Sequence, residues 1–187
     1  MNLKQPLKLS VIIFSVFFLV GCLKSSTPET PEERYELFSS GIFEERDEFK
    51  KTTMVYSAVV PDDNIKGFHC ENVHCLDTTI RMFFDKNGKR RFTQIYFRAE
   101  IYDWVFFDRA VFDDGTSMEF REIDRKVYSA DNLVEIFAVT ISDEIFEKLK
   151  KRNRKISIRG KVFDWVVTIP KEVATSLDDY TKKKFPQ

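Results

Sequence analysis

The sequence predicts a mainly β fold: a β-sandwich-like antiparallel domain with one helix late in the chain and another at its C-terminus. Two observations predict it. From residue 53 onward, β-branched and aromatic residues recur in short runs bounded by Pro, Gly, Asn and Asp. Helical spacing with a capping residue appears clearly only after residue 141. Seven or eight short strands with little helix suit two packed antiparallel layers.

The elements follow in order. Residues 22–34, polar and carrying two Pro, are expected to form a flexible or partly extended tether. In the next stretch Tyr35, Phe38, Phe43 and Phe49 fit a short helix and a lead-in, with Gly41 as a break. The run 53–60 is a strand ended by Pro61-Asp62-Asp63-Asn64. Residues 78–84 and 91–101 flank Asn87-Gly88, a hairpin signal because both central positions of a type I′ turn need positive φ. The run 104–112 is expected as one strand, closed by Asp113-Asp114-Gly115. Residues 117–128 alternate and then slip register near Ile123, which predicts a bulge. Residues 133–141 form another strand.

Ser142 is a good N-cap for a helix with Asp143 and Glu144 in its first turn and Ile145, Phe146 and Leu149 on one face. Two late strands, 155–160 and 163–169, lead to Pro170. That residue opens a final helix carrying Val173, Leu177 and Tyr180 at helical spacing. The octets "EIYDWVFF" and "KVFDWVVT" echo each other, but eight aromatic-rich residues recur too easily to define a repeat.

The N-terminus predicts an address. Lys4 and Lys8 precede an apolar run at residues 9–20, which is too short to span a bilayer but suits a signal peptide. The run ends in Leu19-Val20-Gly21-Cys22. This motif resembles the lipobox of bacterial lipoproteins. The resemblance implies that residues 1–21 are a signal peptide removed on maturation, and that Cys22 carries fatty-acyl chains such as palmitate. Two or more chains anchor stably where one does not. Leu23 stands where such lipoproteins often carry an Asp that retains them in the inner membrane. The resemblance therefore implies the outer membrane, with the remaining 35–187 β-rich domain facing the periplasm.

A second resemblance lies in the C-terminal part. The segments "RAVFDDGTSMEFREIDRKV", "VTISDEIFEKL", "RGK" and "TIPKEVATSL" resemble a group of uncharacterised small bacterial lipoproteins. Such proteins often carry a Cys pair after the "R-x-V" strand, where this chain has "YSADNLVE". The group implies no activity and no functional residues.

Charge excludes some functions. Thirty Lys and Arg balance thirty Asp and Glu, which gives no electrostatic reason to expect nucleic acid. G-x-S-x-G, Walker A, G-x-G-x-x-G and H-E-x-x-H are all missing from the sequence, so no enzyme and no cofactor is expected.

One short segment concentrates soft ligands. "HCENVHC" holds both His of the chain, His69 and His74, and two of its three Cys, Cys70 and Cys75. In an oxidising compartment an even pair reads first as a disulfide, closing a small ring worth up to ~2 kcal/mol. The alternative is a metal-binding or metal-sensing site of His69, Cys70, His74 and Cys75, since thiolate and imidazole suit zinc or copper. Free thiols are a third possibility.

The run "KLKKRNRK" offers Lys148, Lys150, Lys151, Arg152, Arg154 and Lys155 for contact with an anionic surface. The competing reading is a helix end whose cations complement the macrodipole. Carboxylates at Glu100, Asp103, Asp108, Asp113 and Asp114 lack the spacing of a calcium loop and read as outward-facing strand residues. The expectation is therefore a lipid-anchored, non-catalytic interaction or structural module of the cell envelope. Its contacts would be the membrane and an envelope protein.

Overall fold

The structure, a computed structural model, describes residues 30–60, 75–129 and 132–186. It contains α1 (Pro31–Ser40), β1 (Phe43–Asp47), β2 (Thr52–Tyr56), β3 (Cys75–Phe84), β4 (Arg90–Ile101) and β5 (Arg109–Phe112). These are followed by β6 (Ser117–Ser129), β7 (Asn132–Ile141), α2 (Asp143–Lys151), β8 (Arg154–Arg159), β9 (Asp164–Ile169) and α3 (Lys171–Lys184). The nine strands form one antiparallel sheet in the order β1-β2-β3-β4-β7-β6-β5-β8-β9. The expected mainly β, antiparallel architecture with a late and a C-terminal helix is what the chain adopts.

Register fixes which face is buried. Ile80 opposes Ile95, which opposes Val139, and Thr78, Phe97 and Phe137 form the next row. Because directly paired residues share a face, these rows make one continuous apolar surface. The Phe97 and Phe137 rings stack at 5.0 Å. Strand β6 continues this face only in part. From Glu119 onward it pairs with β7, whereas only Ser117 and Met118 pair with β5. Beyond that point β5 leaves β6, and the residues leading into β5 lie on β7, with Phe107 5.1 Å from Phe137. The helices cover the rest. Phe185, just after α3, stacks on Phe84 at 4.1 Å, and Thr181 sits 3.8 Å from the Met82 sulfur.

The local signals operate as their chemistry dictates. Gly88 and Gly115 adopt φ of 73° and 85°, which favours glycine at both turns. Ser142 caps α2 through its hydroxyl. The register shifts between Glu122 and Asp124, which places the expected bulge at Ile123.

Three expectations need correction. Residues 31–34, assigned to the tether, begin α1. Thr30 and Glu33 form a reciprocal capping box at 3.1 Å each way, with Pro at the first helical position. Residues 43–47 are a strand, β1, because a full register of pairing with β2 is available to them. The run 104–112 is not one strand. Residues 102–108 are irregular, and only Arg109–Phe112 pair.

Candidate interaction surface

The irregular segment 102–108 owes its shape to a buried charge. Glu135 lies on β7, opposite Ala99 and Arg125, and is only 2% exposed. A carboxylate removed from water needs compensating donors. Glu135 Oε1 accepts the backbone N–H groups of Val105 and Phe106 at 2.8 and 2.7 Å, and Oε2 accepts that of Phe107 at 3.1 Å. Arg125 Nε donates to Oε2 at 3.4 Å. Three successive N–H groups converge on one carboxylate only if the chain coils tightly, and Phe106 takes φ of 56°.

The β8–β9 turn clamps the same segment from the other side. Lys161 N–H donates to the Val105 carbonyl at 2.8 Å, and Asp108 N–H to the Arg159 carbonyl at 3.0 Å. Gly160 permits that approach. A Cβ there would lie 2.4 Å from Val105 Cγ1 and 2.9 Å from its carbonyl oxygen.

What this frame displays is aromatic and cationic. Tyr102 is exposed, Trp104 and Phe106 are half-buried, and Val162 is 67% exposed. The Arg125 guanidinium and the Lys161 ammonium each lie 5.0 Å from the Phe106 ring centroid. Aromatic residues beside an arginine, held on a fixed backbone, are the composition of interface anchors. The sheet's outer face adds a polar surface. There Arg81 lies 4.5 Å over the Tyr96 ring, and Arg98 pairs with Asp77 and Glu100. At its edge Phe43 stacks on Tyr56 at 4.6 Å. Burial, then the hydrogen bond to Glu45, pushes the Tyr56 phenol up to about 12.

The predicted basic run does not act as a unit. Strand alternation in β8 turns Arg154 inward with Ile156 and Ile158, leaving its side chain 5% exposed. Its Nε donates to both oxygens of Asp113 at 2.7 and 2.8 Å, and its guanidinium lies 4.4 Å from the Phe112 ring. Arg154 is therefore part of the fold and not of a surface. Lys148 pairs with Asp114 at 3.2 Å and Glu144 at 3.1 Å, and Lys150 pairs with Asp178 at 2.7 Å. Lys151, Arg152 and Lys155 remain exposed.

The remaining predicted residues divide in two. Cys22, His69, Cys70 and His74 lie outside the described residues. Cys75 opens β3 opposite Glu100. Among the described residues no group of three or more His, Cys, Asp or Glu could hold a metal ion, and no helix is long and apolar enough to cross a membrane. Asp103 and Asp108 are exposed, whereas Glu100, Asp113 and Asp114 are tied to arginines. A cleft of about 340 Å³ opens between Phe84, Arg90, Glu147, Asp178 and Phe185, and Asp178 is neutralised there by Lys150 and Lys182.

Sequence reasoning missed Glu135 and Gly160. A signal for the first was present. Glu135 is the lone charge in the apolar run "LVEIFAVTI", and a charge inside a buried strand requires a partner.

The chain matches no protein-family model, no curated protein and no solved structure.

Proposed function

We propose that this chain is a lipoprotein of the bacterial outer membrane, anchored through acylated Cys22, whose β domain is a non-catalytic docking module for an envelope protein. The observation that carries the reading is the sequence Leu19-Val20-Gly21-Cys22 directly behind a short apolar run with a basic start. The tip formed by Tyr102, Trp104 and Phe106 supports a docking role. It is apolar, partly exposed and flanked by cations, and it stands on a backbone that Glu135 fixes in advance. Preorganised anchors lose little entropy on binding.

Cys70 and Cys75 form a disulfide in this reading. An even pair of thiols in an oxidising compartment supports that pairing over the metal site, which requires both thiolates.

The test is expression of the full chain, unaltered and as Cys22→Ser, in a Gram-negative host fed labelled palmitate. The unaltered chain should take up label, partition into detergent and sediment with outer membranes. Cys22→Ser should do none of these. Equal labelling of both chains, or none of either, sinks the proposal.

A further inference from the structure

The start of the described chain and the free cations lie at one end of the domain. Arg34 Nη2 sits 3.2 Å from Glu172 Oε1 in the first turn of α3. The neighbouring Lys171 N–H donates to Asn153 Oδ1 at 3.0 Å, in the turn after α2. From there the chain runs along α3 in the same direction, as the contacts of Tyr35 with Asp179 and of Glu44 with Tyr180 record. Thr30, one turn before Arg34, therefore lies at the N-terminal end of α3. Lys151, Arg152 and Lys155 flank Asn153 at that end. All three are exposed, and none forms an ion pair among the described residues. The opposite end of the six-residue strand β8 carries the Gly160 turn and the aromatic tip, roughly 20 Å away.

We propose that Lys151, Arg152 and Lys155 contact anionic phospholipid headgroups. They would seat the domain with its tether end on the leaflet that holds Cys22 and its aromatic tip pointing away. This rests on the lipidation of Cys22 proposed above.

Three arguments carry it. The eight residue-to-residue steps from Cys22 to Thr30 reach at most about 29 Å, so the end that bears these cations cannot lie farther than that from the acylated Cys22. Attraction to an anionic leaflet acts within a Debye length, about 8 Å at physiological salt, and cations at the exit point are the ones that the tether can bring within that range. The neighbouring cations Lys148, Lys150 and Arg154 are held in ion pairs by carboxylates, whereas Lys151 and Lys155 form none among the described residues and Arg152 acts on Asp113 only beyond ion-pair distance. Glu32 and Glu36, exposed on α1 at the same end, weaken the attraction. The acyl chains thus hold the protein, and the cations orient it.

The lipidated full-length protein tests this when reconstituted into vesicles of phosphatidylcholine alone or with about one-third phosphatidylglycerol. Lysines are acylated by an amine-reactive reagent, and each site's rate is read by peptide mass spectrometry. Lys151 and Lys155 should react at least ~3-fold more slowly on the anionic vesicles. That difference should vanish in about 0.5 M salt, where the Debye length falls to about 4 Å. Lys86, Lys89 and Lys161 should react alike on both, and Arg152→Glu should reduce the protection to under about twofold. Equal rates at Lys151 and Lys155 on both vesicles, with the protein still vesicle-bound, overturn the orientation and leave the anchor standing. Protein that sediments with neither vesicle overturns both.

Discussion

The Glu135 carboxylate holds Phe106 in the left-handed region. Its Oε1 accepts the Phe106 N–H at 2.7 Å, and the residue sits at φ 56°. A phenylalanine gains nothing from that conformation and loses on the order of 1 kcal/mol. The compensation comes from the three N–H groups, which would otherwise be buried without acceptors. Glu135→Ala should therefore destabilise the full chain by about 3–5 kcal/mol, since it removes one charge and orphans several donors at once. Glu135→Gln should cost less, because an amide oxygen still accepts. Urea midpoints compare the two. If the alanine variant unfolds where the unaltered chain does, the carboxylate does not organise this segment.

Gly160 closes the same frame by being small. A methyl group there would meet both the Val105 side chain and its carbonyl oxygen. Gly160→Ala is expected to cost about 1–3 kcal/mol through overpacking. The double variant Gly160→Ala/Val105→Ala should recover part of that by removing the Cγ1 clash, though not the backbone contact. Thermal unfolding of the three chains measures it. No difference between the single and the double variant would show that the clash is relieved some other way.

How far the sequence revealed the fold depends on where each cause resides. The turns at Gly88 and Gly115 and the cap at Ser142 were legible because their physics is contained in a few neighbouring residues. The triplet Asp-Trp-Val shows the limit. At Asp103-Trp104-Val105 it lies in an irregular segment, and at Asp164-Trp165-Val166 it opens β9. The residues are identical. What differs is that Glu135, thirty positions on, takes the Val105 N–H of the first copy, while β8 takes the pairing of the second. The same limit applies to β1, whose helical or extended state is decided by β2. In the basic run the charges were visible, but nothing local separated Arg154 from Arg152. What separates them is where β8 begins: Arg154 is its first residue and turns in to Asp113, whereas Arg152 is the C-cap of α2, ahead of the strand, and stays in solvent.

Asp178 makes stability depend on acid. Burial opposes its charge, but the Lys150 and Lys182 ammoniums at 2.7 and 2.8 Å outweigh it and hold the carboxyl below its usual range. A carboxylate depressed in the folded state contributes stability above its unfolded value, near 3.9, and loses it as pH falls through the lower folded value. Asp178→Asn should thus be less stable than the unaltered chain at pH 7. Below pH 4 the gap should narrow. Urea midpoints at pH 7, 4 and 2.5 test the sign, and parallel curves for the two chains would refute the linkage.

The cysteines give the sharpest chemical readout. Under the proposed reading the sulfur of Cys22 is a thioether and Cys70 is joined to Cys75, so the lipidated full chain carries no thiol. Denatured without reductant it should release no colour from a thiol reagent, and after reduction it should titrate two. Closing so short a loop stabilises by up to ~2 kcal/mol, so reduction should lower the unfolding midpoint only modestly and leave the β domain folded. Cys75 opens β3, where its backbone is already fixed by pairing with Glu100, which is why little else should change. Two thiols before reduction, with stoichiometric zinc or copper in the same sample, would refute the disulfide. That outcome would make His69, Cys70, His74 and Cys75 a metal site, and its ligands, not the aromatic tip, would become the place to look for function.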